Sequence, residues 1–142
     1  MTEYKINIFV DAVANNEYQF PFDIMERGAY QVHINFSGGR GDMGDANESN
    51  PLLNTDIFNS VLDNYTSPTS TTTYPFSIPL QCASPTLSDN RYVSFLYREP
   101  NPIYINSPPL NNTFNINMTS VFQRTTTIST IKGFLSLRFV KI

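Results

Sequence analysis

The last ten residues of the chain, 133–142 (GFLSLRFVKI), constrain its fold more than any other stretch. Phe134, Leu135, Leu137, Phe139, Val140 and Ile142 place apolar groups on both parities of a period-two count. A surface strand alternates cleanly, whereas a strand covered on both faces reads as a near-continuous apolar run. Leaving such a run in water forfeits about 1.5–3 kcal/mol per large side chain, so the segment is not a frayed tail. It reads as an inner strand, covered on both sides, that the earlier strands must meet before a core can close.

The preceding sequence supplies those strands. Tyr4, Ile6, Ile8 and Val10 fall on one face of an alternating stretch, followed by Asn15 and Asn16 as turn formers. Tyr18, Phe20, Phe22 and Ile24 repeat the alternation, with Pro21 marking an edge or a bend. After a turn at Glu26, Arg27 and Gly28 comes the cleanest strand, with Tyr30, Val32, Ile34 and Phe36 inward and Gln31, His33 and Asn35 outward. Residues 37–51 read as a long glycine-rich and acidic loop. Asn54, Thr55 and Asp56 have the chemistry of a helix cap, and Ile57, Phe58, Val61, Leu62 and Tyr65 follow at helical spacing. The sequence therefore predicts one short helix there, and a Thr/Ser/Pro linker over 66–73. Tyr74, Phe76, Ile78 and Leu80 alternate between Pro75 and Pro79, which predicts a strand near a sheet edge. Residues 91–98 form a strand with apolar groups on both parities, 103–105 a short strand among four prolines, and 114–122 another strand. Residues 125–132 read as strand or β-loop. The whole predicts an all-β fold over 1–142: a single antiparallel jelly-roll β-sandwich with one short helix in a long loop after the third strand.

Composition narrows the function. Charged residues make up only 15% of the chain, against about 25% in typical domains. Asn, Thr and Ser replace them, which suits a surface desolvated by neighbours, because burying an amide costs far less than burying an ion. The net charge is −3, and no two of the nine Lys and Arg residues are adjacent. This argues against direct nucleic-acid binding, which needs clustered cations. Cys82 is the only cysteine, so no internal disulfide forms, and without a charged neighbour its thiol reads as inert. Residues 1–10 lack the layout of a signal peptide, and no apolar run approaches a bilayer-spanning length. The expectation is synthesis in a reducing compartment, without a leader and without a membrane span.

Few residues carry chemistry. His33, the sole histidine, lies on the outward parity of its strand with no acid or nucleophile placed beside it. One histidine and one cysteine cannot make a His-rich or Cys-rich metal site. Asp42, Asp45 and Glu48 cluster on the glycine-rich loop, but their spacing does not match a calcium loop and a solvated loop is the plainer reading. Arg40-Gly41-Asp42 is the tripeptide that integrin ligands present, in an exposed, glycine-flanked position; glycine-rich turns also favour it for conformational reasons alone. The expectation is a protein with no catalytic residues, no cofactor and no metal.

Strand count, the single helix after the third strand and the apolar final strand resemble the single jelly-roll capsid proteins of double-stranded DNA viruses and virophages, of the penton, minor capsid or cement type. The resemblance implies a final strand inside a four-stranded sheet next to the first, and a structural component of a virion that packs against itself and other capsid proteins. A second resemblance is to trimeric jelly rolls of the C1q and tumour-necrosis-factor type. It rests on the Gly28-Ala29-Tyr30 strand entry and on Ile131-Lys132-Gly133-Phe134-Leu135. This alternative implies a recognition or adhesion domain that binds a receptor or glycan. Both imply a homo-oligomer, pentamer or trimer. Neighbouring subunits are expected to hold one or both of Met1-Thr2-Glu3 and the loop over 38–50, with at least one interface above about 1,000 Å² to which Tyr92, Tyr97 or Tyr104 contributes.

Overall fold

The computed structural model describes residues 2–11, 17–40, 51–58, 63–66, 71–74, 76–82, 93–98, 101–120 and 131–142. Among the described residues twelve strands run in chain order: β1 (Glu3–Asp11), β2 (Glu17–Gln19), β3 (Tyr30–Arg40), β4 (Pro51–Thr55), β5 (Asp63–Thr66), β6 (Thr71–Tyr74), β7 (Phe76–Pro79), β8 (Gln81–Cys82), β9 (Val93–Arg98), β10 (Ile103–Ile105), β11 (Thr113–Ser120) and β12 (Lys132–Lys141). A single 3₁₀ turn, Phe22–Ile24, lies between β2 and β3. All pairings are antiparallel. The first sheet has the order β1-β12-β3-β9-β8, with β10 also on β3; the second has the order β2-β11-β4-β7; β5 and β6 pair with each other.

The pairings follow one scheme. β1 pairs with β12, β2 with β11, β3 with β9 and β10, and β4 with β7, as the two arms of one long hairpin would. Its successive rungs then fall alternately to the two sheets. β9 and β10 are one arm in two pieces: β9 faces Asn35–Arg40 and β10 faces Tyr30–Val32. His33 and Ile34 fall between the two pieces, and Pro102, immediately before β10, has no N–H to give a ladder.

The final segment is an inner strand, as its apolar content predicts. β12 pairs with β1 along one side and β3 along the other. Leu135, Leu137 and Phe139 are buried with Tyr30, Val32, Ile34 and Phe36 of β3, and the same core holds Leu53, Ile78, Ile116 and Met118 of the second sheet. Coverage on both faces is not found: Phe134 is 53% exposed and Ile142 70%, so β12 is buried on one face only. In 93–98, Phe95 is likewise buried and Leu96 is 47% exposed.

Two features differ from expectation for one reason. Among the described residues the expected short helix after the third strand is not found: β4 occupies 51–55 and β5 occupies 63–66, while 59–62 lie outside the described residues. The supposed cap residues serve the neighbouring strand, although the Thr55 hydroxyl also accepts from the Ile57 N–H (3.3 Å). Asp56 accepts hydrogen bonds from Asn115 N–H (2.7 Å) and Asn115 Nδ2 (3.2 Å), and the Thr55 hydroxyl donates to the Asn115 carbonyl (2.9 Å). Ile57 and Phe58 are then buried side by side, with Phe58 packing against Phe76 of the second sheet and Phe139 of the first. Likewise the alternation through Ile24 fails, because the chain turns at Phe22 and leaves Ile24 63% exposed. Phe22 bridges Phe114 of the second sheet and Phe139 of the first. Both segments spend their regular periodicity on driving one phenylalanine between the sheets.

Glycine is required at one rung of the β3–β12 ladder. Gly38 and Gly133 stand opposite each other, and a Cβ on Gly133 would lie 2.5 Å from the Ser37 carbonyl oxygen and 2.6 Å from the Gly38 Cα. The Phe36 ring closes over this rung.

Candidate functional site

The side-chain alternation of the first sheet puts one row of residues on its outward face. Ile8 and Val10 are buried, so Phe9 points out; Leu135 is buried, so Phe134 points out; Phe95 is buried, so Leu96 points out. Register aligns them. Phe9 stands opposite Phe134, Phe134 opposite Ser37, and Ser37 opposite Leu96. Phe9 (50% exposed) and Phe134 are in ring contact, with centroids 5.3 Å apart. The row runs across four strands and is apolar at three of its four positions, with Ser37 between Phe134 and Leu96.

Charges border this row. Glu3 lies 3.8 Å from Lys5 and 3.7 Å from Arg138, and Asp11 lies 3.5 Å from Lys132. At one corner Lys141 donates to Glu26 (3.0 Å) beside Thr2. That hydrogen bond holds the Glu26 carboxyl below the usual carboxylate range and raises Lys141 above the usual lysine value. Tyr30, whose hydroxyl donates to the Glu26 carbonyl (2.6 Å), is pushed up by burial.

The second sheet is built differently. Asn54 and Thr119 belong to the outward parity of β4 and β11 yet are buried, at 2% and 5% exposure. The Asn54 amide donates to Asn117 (2.9 Å) and Thr119 (3.1 Å), and its oxygen accepts from Ser77 (2.8 Å). No known protein family matches this chain, and comparison with curated proteins and with solved structures returns no match.

The residues singled out from sequence are scattered. His33 is half-buried on the outward face, opposite Arg138. Arg40 ends β3 opposite Val93, while Gly41, Asp42, Asp45 and Glu48 lie outside the described residues, as does Tyr92. Cys82 ends β8 opposite Phe95. Tyr97 packs against the core, and Tyr104, 63% exposed, accepts a hydrogen bond from Gln31 (3.4 Å). Among the described residues no group of three His, Cys, Asp or Glu side chains is placed to hold a metal ion, and no helix is long and apolar enough to cross a membrane. Sequence reasoning passed over Phe9, Phe134 and Leu96 as a set. The signal was available for Phe9, which sits between Ile8 and Val10 on the outward parity.

Proposed function

We propose that the protein is a non-enzymatic structural component of a virus capsid, of the penton, minor capsid or cement type, working in the virion through packing against itself and other capsid proteins. The fold in this reading is a jelly roll, a long antiparallel hairpin rolled so that its rungs alternate between two sheets. The pairings β1–β12, β2–β11, β3–β9/β10 and β4–β7 support it. The observation that carries the function is the outward face of the first sheet, where Phe9, Phe134 and Leu96 stay half in water in a single chain. A subunit built for assembly has a use for such a face; an isolated chain has none.

A second reading, a trimeric recognition or adhesion domain, is favoured by Gly28-Ala29-Tyr30. Gly28 has φ +133°, which side chains rarely adopt, and Tyr30 is fully buried. Electron microscopy of the purified full chain over a concentration series separates them. Five-fold capsomers or lattices are the expected result. Three-fold particles that bind a glycan or receptor overturn the capsid reading in favour of the second, and monomers at every concentration overturn both.

A further inference from the structure

β1 ends the first sheet, and its two edges are unlike. One is fully paired with β12. The direction of the other is fixed by two hydrogen bonds: Lys141 N–H donates to the Thr2 carbonyl, while Asp11 N–H points away from β12 to the Tyr18 hydroxyl, each at 3.0 Å. Backbone groups alternate along a strand, so the even residues of β1 bond to β12 and the odd ones face outward. Asp11 is thereby capped. The N–H and C=O groups of Lys5, Asn7 and Phe9 meet no partner among the described residues. Beside them a cavity of about 320 Å³ separates β1 from Tyr18, Phe20 and Phe114, so the second sheet does not close over this edge. The edge lacks proline, a bulge and an inward charge; of the devices that keep strands from pairing it carries only charged side chains, Lys5 among them.

We propose that this edge pairs antiparallel with the same edge of a second copy, about a two-fold axis through Ile8. The inference rests on the self-association in the reading above and names its contact. In this register Asn7 of each copy stands opposite Phe9 of the other, exchanging both backbone hydrogen bonds, and Lys5 stands opposite Asp11. The charges choose it. Asp11, already paired with Lys132, then meets Lys5 of the second copy, and Glu3 of the second copy, one rung along, holds that Lys5 and the Arg138 opposite it, so the pairs each chain already makes are joined across the contact. Shifting the axis to Asn7 instead sets Glu3 against Asp11, which like charges disfavour. The same register brings the two Phe9 rings into diagonal reach, at about 7–8 Å, joining both Phe9–Phe134 pairs into one aromatic row. The tyrosine cap on Asp11 ends the ladder.

The test uses full-length chains carrying Cys82→Ser and either Asn7→Cys or Phe9→Cys, oxidised separately and as a mixture. Directly paired residues have Cα atoms about 5.5 Å apart, inside the disulfide range of about 4.4–6.8 Å, whereas diagonal ones lie outside it. The expected result is a disulfide-linked dimer from the mixture and none from either variant alone. Cross-linking of Asn7→Cys by itself overturns the proposed register, and no cross-link anywhere overturns the pairing, whether or not the chain assembles. Unsubstituted protein supplies a second readout by hydrogen exchange. The Asn7 and Phe9 amides should exchange fast in dilute solution and become protected as concentration rises; exchange that stays fast overturns the proposal. A cross-linked dimer that never builds larger particles would contradict the capsid reading while leaving this contact intact.

Discussion

The outward faces of the two sheets solve the same problem in opposite ways. On the second sheet, Asn54 and Thr119 are withdrawn from water, and the Asn54 amide is satisfied by Asn117, Thr119 and Ser77. On the first, Phe9, Phe134 and Leu96 are aligned by register and left half exposed. Buried polar groups must be hydrogen-bonded, so the closed face is polar and complete within one chain. The open face has apolar area that the chain alone does not cover.

Substitutions should separate the faces from each other and from the core behind them. Leu137→Ala, beneath the open face, should cost about 2–5 kcal/mol in urea unfolding, the largest effect expected. Asn54→Ala strands the Ser77 hydroxyl and the Asn117 and Thr119 groups on the closed face, and should cost about 1–3 kcal/mol by the same measurement. A neutral result there would mean the polar seam is not satisfied as described. Phe134→Ser on the open face removes only a half-exposed ring pair and should cost about 0.5–1.5 kcal/mol in a dilute monomer. A loss as large as that of Asn54→Ala would erase the distinction between the faces.

The smallest effect concerns the Glu26–Lys141 corner of the first sheet. Glu26 is held below its ordinary value, so its contribution is complete above the usual carboxylate range and fades as pH falls through the lowered value. Lys141 is raised, so its contribution is complete below the usual lysine value and is lost as pH rises through the raised one. Both groups are exposed, which keeps the effect small. The thermal midpoints of wild type and Glu26→Gln should converge at both extremes of pH and differ slightly between them. A constant offset across the range would contradict this.

The central position of β12 was legible because a run as apolar as Phe134–Ile142 must pair on both edges. Its second face was misread because apolar content alone does not say that a second layer covers it. Ile103-Tyr104-Ile105 was legible between prolines that fence it. Residues 54–58 were not, since Thr55 and Asp56 offer the same oxygens to a helix start or to Asn115, and only tertiary pairing decides. Of the interface tyrosines expected from sequence, Tyr104 is exposed and Tyr97 packs against the core. The aligned row needed register, which is a property of pairs of strands and is not visible in any one of them.

Sedimentation velocity across a concentration series, comparing wild type with Phe9→Ser/Phe134→Ser, tests the role of the open face most directly. Wild type is expected to assemble, and the variant to stay monomeric with an unchanged far-ultraviolet spectrum. Wild type that remains monomeric throughout, or a folded variant that assembles equally well, would contradict it.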